Sequence, residues 1–228
     1  MSAFRPRAIE SFAYGSPGLS LGRMAFDQPG TTAKRMADIV LGCIFLALAG
    51  LPMVLIAAAI RLTSRGPALF RQERIGLNGR RFIMLKFRTM HDTPPPPGTC
   101  RQATRHDPRV TRIGAWLRRT SFDELPQLFN VLAGSMSLVG PRPHAPNTCA
   151  AGRPFEAVSH RYAARHCVKP GMTGLAQIRG WRGETDTEEK LLHRIDSDLE
   201  YIATWSLRSD LLIIGSTIVT VLRMPNAY

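Results

Sequence analysis

Between Ile39 and Ile60 the chain carries no charged residue. A run of about 20 apolar residues is what a helix needs to cross the hydrocarbon of a bilayer, so this stretch constrains the fold more than any other. Lys34-Arg35 precedes it, and Arg61 and Arg65 follow it. Positive charge at both ends is awkward for a simple span, whose Lys and Arg excess collects on the cytoplasmic side. Pro52 sits near the middle, in Ala49-Gly50-Leu51-Pro52. It has no backbone N–H to donate and invites a break. These features favour a re-entrant membrane helix hairpin broken at Pro52, with both ends on one face of the bilayer. A straight span comes second. A buried core helix comes third, because the segment is apolar all round.

The stretch divides the chain into three parts. Residues 1–33 are rich in Gly, Pro and Ser and lack a sustained apolar period, which predicts a mobile tail. They do not look like a conventional secretory signal. Residues 34–62 are the membrane-embedded hairpin. Residues 63–228 are long enough for one compact domain.

A formal net charge of +13 predicts an anionic partner: nucleic acid, an acidic membrane face or a phosphorylated substrate. Aromatics are few and no base-stacking signature occurs, so no nucleic acid partner is expected. A nucleic-acid module would also leave the uncharged stretch without a role. Cys43, Cys100, Cys149 and Cys167 are scattered, which argues against a disulfide framework and against structural zinc. His160, His166 and Cys167 lie close in sequence, but ordinary core or surface roles are favoured over a metal site.

Beyond the hairpin, the segments Ala68–Gln72 and Arg81–Met90 flank an Asn78-Gly79 turn and predict a β-hairpin. An irregular loop from His91 to about His106 follows, with prolines at 94–97. Asp107–Arg119 has cations at three- and four-residue spacing, as an amphipathic helix on anionic headgroups would, or a solvated basic face. Next comes Thr120-Ser121-Phe122-Asp123-Glu124-Leu125-Pro126-Gln127. Its adjacent carboxylates open an apolar run, Leu128–Leu132, that ends at Gly134. Asp123 and Glu124 therefore belong on the first turn of a short helix, where unpaired N–H groups favour anions. Pro126 makes the helix start or kink nearby. Ser121 and Glu124 also have the spacing of a capping box, which would do no more than close the helix end.

Ser137–His144 is a proline-bracketed loop that presents Arg142, a geometry suited to bidentate phosphate binding or to a plain turn. Gly180–Thr187 leads into a helix with capping-box spacing at Thr185 and Glu188. Leu191, Leu192, Ile195, Leu199 and Ile202 form its expected buried face. Leu211–Leu222 is apolar but too short to span a bilayer, and is read as packed on the domain or lying in the interface. The fold class is α+β: a mostly helical compact domain with a small β-hairpin or sheet and the N-terminal hairpin.

Gly66-Pro67, Lys86-Phe87-Arg88-Thr89-Met90, Asp107-Pro108-Arg109, Ser121–Gln127, Leu128–Leu132, Ser137–Pro143 and Lys169–Gln177 occur in that order. Together they resemble the bacterial sugar transferases, the monotopic phosphoglycosyl transferases that start glycan assembly on a polyprenyl carrier. The likeness runs from about Lys34 to Tyr228 and looks like the catalytic unit alone. It implies transfer of a hexose-1-phosphate from a UDP-sugar to undecaprenyl phosphate, with release of UMP, at the cytoplasmic face of the bacterial inner membrane. In the family the Asp of the Asp-Glu pair is the nucleophile, here Asp123. Arg118 contacts phosphate, and magnesium offsets the diphosphate charge. Two departures stand out: Leu51-Pro52 replaces a Ser-Pro break, and Leu175 replaces a common Trp. Gly180–Thr187 and the ending Asn226-Ala227-Tyr228 resemble the glucose-transferring branch, with UDP-galactose as the competitor.

The residue types suit that chemistry. A carboxylate nucleophile splits one displacement at phosphorus into two, and phosphoryl transfer needs positioning and charge neutralisation more than strong bases. Magnesium takes one or two carboxylates plus phosphate oxygens, which Asp123 and Glu124 can offer. Glu124 either positions the metal or activates the lipid phosphate. Lys86, Arg88, Arg118 and Arg142 are the expected phosphate-binding cations. Expected partners are the UDP-sugar, undecaprenyl phosphate, inner-membrane lipids and a second copy of the chain. The rival readings are a basic membrane-attached protein without chemistry and a phosphohydrolase with water as acceptor.

Overall fold

A computed structural model describes residues 31–91, 107–183 and 185–223. Almost all of the expected tail and of the proline loop after His91 lies outside those residues. The long apolar stretch forms α1 (Thr31–Thr63), one helix with Pro52 inside it. The expected two-helix hairpin with an interruption at Pro52 is not what is seen. The helix continues through the proline, although Pro52 lacks a backbone donor and its ring crowds the Leu48 carbonyl.

At 33 residues, α1 is about 50 Å long if straight, yet both of its ends are tied to the domain. Near its start, Lys34 meets Asp210 at 2.7 Å and Arg35 donates to the carbonyls of Val131 and Leu132. Buried Asp38 accepts from Ser137 Oγ and Leu138 N. Further along, Met53, Ile56 and Ile60 pack into the core. The opposite face carries Val40, Ile44, Leu48, Leu51, Leu55 and Leu62, with Leu48 73 % and Leu62 87 % exposed. Residues three and four apart share a helix face. One side of α1 is therefore core and the other is an uncovered apolar stripe.

The expected hairpin is present. β1 (Leu69–Ile75) pairs antiparallel with β2 (Arg81–Phe87), with Phe70 opposite Lys86. The tight connection uses Asn78 and Gly79 at positive φ. Alternation puts Met84 and Lys86 on one face of β2 and Phe87 on the other. Met84 joins a core with Leu128, Val131, Leu138 and Tyr201, whereas Phe87 joins a second core with Ile60 and Leu117. The strand thus lies between two clusters, and Lys86 is aimed at the region between them.

Helix α2 (Arg112–Thr120) is capped by Thr111, whose hydroxyl accepts from Gly114 N. A Cβ at Gly114 would lie 2.0 Å from the Thr89 carbonyl oxygen, so only glycine lets α2 approach the segment just after β2 this closely. Ser121 then turns the chain at φ 59, and Phe122–Glu124 form a single 3₁₀ turn. α3 (Gln127–Ala133) follows Pro126 and stops at Gly134 with φ 84, as a left-handed C-terminal residue should. The break near Pro126 is as expected. The capping box at Ser121 is not formed, because the left-handed turn leaves its side chain without a cap bond.

β3 (Ser137–Val139) pairs in parallel with β6 (Gly171–Thr173), and between them lie β4 (Cys149–Ala150), β5 (Arg153–Pro154) and the single turn α4 (Phe155–Val158). After β6 come α5 (Leu175–Ile178), α6 (Glu188–Ala203) and α7 (Leu207–Arg223). The start of α6 differs from expectation. Thr187, not Thr185, caps it through Lys190 N. Thr185 is buried and receives Arg194. Leu191 and Ile195 are buried as expected, but Leu192 is exposed.

Candidate active site

Four side chains from three segments far apart in sequence meet at the 3₁₀ turn. Lys86 comes from β2, Asp123 and Glu124 from the turn, and Arg142 from the loop after β3. Asn130 of α3 fixes the first of these relations. Its amide accepts from Leu85 N at 2.9 Å and donates to the Ile83 carbonyl at 2.8 Å, clamping β2 to the helix that follows the acids. The Arg142 loop is held by backbone bonds from Gly140 N to Thr173 O and from Gly171 N to Pro141 O. Beneath it, Arg165 is 2 % exposed and donates to the Arg142 carbonyl, to His144 and twice to Asp198.

The two carboxylates are unequally served. Glu124 accepts from Lys86 Nζ at 2.8 Å and from both terminal nitrogens of Arg142, at 2.5 and 3.2 Å. The nearest cation to Asp123 is Lys86, 4.0 Å from Oδ2, and among the described residues no donor reaches its carboxylate. Burial acts on both acids in the same direction, against the charged form. It pushes the Asp123 carboxyl up to about 6, with Glu124 adding to the rise and Lys86 opposing it. For Glu124 burial is outweighed by Arg142 and Lys86, which hold its carboxyl well below the usual range. Adjacent acids thus have different tasks: Glu124 neutralises and positions two cations, while Asp123 keeps its oxygens available.

That division bears on a metal. Magnesium needs one or two protein carboxylates and completes its shell with water and substrate phosphate. Asp123 fits such an ion arriving with a diphosphate. Glu124 does not in this arrangement, since both of its oxygens are committed to cations. No cluster of three metal-capable side chains occurs among the described residues.

Arg118 donates to the Thr89 hydroxyl at 2.9 Å and lowers the Asp123 carboxyl by its charge. Arg88 lies elsewhere. It donates to the Ser64 carbonyl and hydroxyl at the end of α1, and its Nε and Nη1 are buried without partners among the described residues. Pro52 lines a cavity of about 430 Å³ beside the site. That cavity is walled by Phe45, Leu48 and Ala49 of α1, by Ile214 and Ile218 of α7, and by Leu125 and Leu128. It reaches Ser121, Glu124, Gln177 and Arg182, the last of which donates to the Ser121 hydroxyl. Asp123 itself, 6 % exposed, is not in its wall.

Asp38, Arg165, Asp198 and Arg182 escaped the sequence reading. Each acts on a segment at least 21 residues away, as Arg165 does on His144, so no local spacing announces it. His166 is packed edge to face on Tyr162, with burial and Arg165 taking its imidazole down to about 4.

Residues 30–224 match the family described as bacterial sugar transferase. The UDP-glucose:undecaprenyl-phosphate glucose-1-phosphate transferase of Caulobacter vibrioides is 50 % identical over 212 residues, 93 % of this chain and 76 % of that protein. The undecaprenyl-phosphate glucose phosphotransferase of Komagataeibacter xylinus is 50 % identical over 195 residues, 86 % of this chain and 37 % of that protein. The Escherichia coli K12 enzyme that bears the same name as the Caulobacter protein is 49 % identical over 185 residues, 81 % and 39 % respectively. The chain thus spans well under half of the second and third relatives.

Proposed function

The chain belongs to the bacterial sugar transferase family, and from that premise we propose that it moves glucose-1-phosphate from UDP-glucose to undecaprenyl phosphate, as the first step of exopolysaccharide assembly. The observation that carries this reading is the unequal Asp-Glu pair: one acid saturated by cations, its neighbour buried with its oxygens open. An Asp123 oxygen attacks the sugar-bearing phosphorus of UDP-glucose. The new O–P bond forms as the bond between the two phosphorus groups breaks, and UMP leaves with the electron pair on its phosphate oxygen. An ionised oxygen of the acceptor phosphate then attacks the same phosphorus. The aspartyl bond breaks, and the Asp123 carboxylate is restored.

Glu124 holds Lys86 and Arg142 where charge gathers on the transferring group, the positioning and neutralisation that phosphoryl transfer requires. Arg118 stands close enough to add a third cation. Asp123 would be the protein carboxylate for a magnesium ion bound with the donor diphosphate, and the ion would add to the charge neutralisation. Arg88 is assigned to anchoring the end of α1 rather than to phosphate.

The membrane seat follows from α1. Lys34, Arg35 and Asp38 at one end and Ser64 at the other are all bonded to the same domain. A straight span would carry one of those ends across the bilayer. Two anchored ends and an outward apolar stripe support a helix seated along one face of the bilayer, the cytoplasmic face of the inner membrane, where UDP-sugars are found.

Protein incubated with UDP-[¹⁴C]glucose and magnesium should take up label without acceptor and pass it to the lipid phase when undecaprenyl phosphate is added. A protein that takes no label under either condition overturns the reading. Label entering from UDP-galactose in preference to UDP-glucose would replace the donor but keep the chemistry.

A further inference from the structure

A second cavity, of about 280 Å³, lies along the same stripe of α1 as the one beside the site. The first takes Phe45, Leu48, Ala49 and Pro52, and the second takes Thr31, Lys34, Arg35 and Asp38, all at helical spacing of three and four. β3 divides the two. Leu138 faces the first, while Ser137 and Val139 face the second, as alternation along a strand requires. The transfer step uses nothing in this second cavity.

Its wall is rich in positive charge. Among the described residues, Lys34, Arg35 and Lys169 line it against a single acid, Asp38. Lys34 is paired with Asp210 at 2.7 Å, and Asp38 is turned to Ser137 Oγ and Leu138 N. Arg35 meets only the carbonyls of Val131 and Leu132. The Lys169 ammonium makes no hydrogen bond or ion pair among the described residues. These two cations converge: Arg35 Nη2 and Lys169 Nζ lie 3.4 and 3.7 Å from the point that a Cβ at Gly134 would occupy. Burial and the neighbouring Arg35 hold the Lys169 ammonium below its ordinary range. Like charges facing one point disfavour each other's ionised form, and an anion between them removes that cost.

We propose that this cavity binds a phosphate group through Arg35 and Lys169, as a site separate from the one where transfer occurs. Charge, size and place select that ligand. Arg35 gives one N–H of each terminal nitrogen to a carbonyl and has others left for an oxyanion, which the Lys169 ammonium meets from the other side. The volume lies just below the roughly 300–1,000 Å³ of pockets that hold drug-sized ligands, so a headgroup or a free ion fits and a nucleotide sugar does not. Lys34-Arg35 comes directly before the uncharged stretch of α1, at the depth where basic pockets beside membrane helices recognise lipid phosphates. A lipid phosphate and a soluble one share this chemistry. Either joins the start of α1 to the segment that holds the Arg142 loop, since Ser137 N donates to Pro170 O and Gly171 N to Pro141 O.

The full-length protein in phosphatidylcholine nanodiscs is melted in two series, neither of which contains UDP-glucose or acceptor. In one, sodium phosphate is titrated against sodium chloride at matched ionic strength. In the other, phosphate is left out and phosphatidylglycerol replaces part of the phosphatidylcholine. Melting temperature should rise saturably in at least one series, as it does for any ligand that binds only the folded state. Lys169→Met and Lys169→Gln remove the same charge in two shapes, and each should weaken the apparent affinity about tenfold. Lys190→Met, an exposed lysine paired with Asp186, removes an equal charge elsewhere and should leave the affinity unchanged. Phosphate held at the Lys86–Arg142 turn would not respond to Lys169. A rise with phosphatidylglycerol alone assigns the site to a headgroup, a rise with phosphate alone assigns it to a soluble ion, and a rise with both, each weakening the other, assigns it to either. No rise in either series overturns the site. So does an unchanged affinity in both Lys169 variants, or an equal loss in Lys190→Met.

Discussion

Two clusters of buried charge stand side by side in this domain, and they are built on opposite rules. Around Arg165, a single acid, Asp198, receives two guanidinium bonds at 3.0 and 2.5 Å, and the remaining donors of Arg165 go to His144 and the Arg142 carbonyl. Every bond is made inside the protein. Around Glu124, two acids share two cations, and Glu124 takes both of them. Asp123 is left with a cation at 4.0 Å and a carboxyl pushed up to about 6 by burial. The matched cluster is scaffold: it fixes the backbone that presents Arg142. The unmatched one retains an acid whose charge is costly until a substrate or ion arrives to share it. In a low-dielectric interior, incomplete pairing marks where chemistry is expected.

Asp123→Asn should have the largest effect and separates the two clusters most sharply. Covalent labelling by UDP-glucose should fall by about a thousandfold or more. Thermal stability should hold or rise, because a charged group whose environment opposes it has been removed. A clear fall in melting temperature would place Asp123 with the scaffold acids instead. Arg165→Ala should do the reverse. Breaking a buried ion pair from one side costs roughly 3–5 kcal/mol. Arg165→Lys, which cannot form the fork, should stay folded and yet lose kcat through misplacement of Arg142.

Acidity tests the comparison more finely. The labelling rate of the unmodified protein should drop as pH falls through about 6, where Asp123 takes up a proton. Its folded pKa lies above the ordinary aspartate value of 3.8, so the fold binds this proton more tightly than the open chain does. Ionisation of Asp123 therefore removes stability as pH rises from about 4 to about 6, and nothing further above that. Glu124 has the opposite sign, stabilising above its ordinary range and losing that contribution as pH falls. Glu124→Gln deletes the neighbouring charge that raises Asp123 and frees two cations, so the acid limb should move to lower pH. Arg142→Ala should move it to higher pH. The same direction in both variants would show that the two acids do not divide the cations as described.

The smallest effect belongs to a pair that is neither scaffold nor site. Arg179 and Glu200 are joined at 2.6 Å twice, but about half exposed. Arg179→Ala should cost under about 1 kcal/mol in a denaturant titration, since solvent screens exposed pairs. This value sets the baseline against which the two buried clusters are read.

Much of the secondary structure was readable beforehand. The hairpin around Asn78-Gly79, the break near Pro126 and the stop at Gly134 each depend on residues within a few positions, which is the range over which turn and cap chemistry acts. Two local readings failed for a shared reason. Thr185 and Ser121 both stand at capping-box spacing, but Arg194 of α6 takes the Thr185 hydroxyl, and Ser121 turns left-handed and receives Arg182, so partners outside the motif outweighed it. Pro52 was expected to interrupt α1, yet helix continues through it. The lost donor and the crowded carbonyl are a local cost, and packing on both sides of Pro52 outweighs it and holds the turns together.

The order of residues alone determined that a long apolar helix would exist, that two acids would sit together on a tight turn, and that cations would be plentiful. These follow from composition and from spacing within one or two turns. Which acid is neutralised, which cations reach it, and where the apolar helix rests were decided only when β2, the turn and the Arg142 loop were brought together. The ionisation of a buried carboxylate depends on distances of a few ångströms to groups 18 and 38 residues away, and no linear spacing encodes those distances.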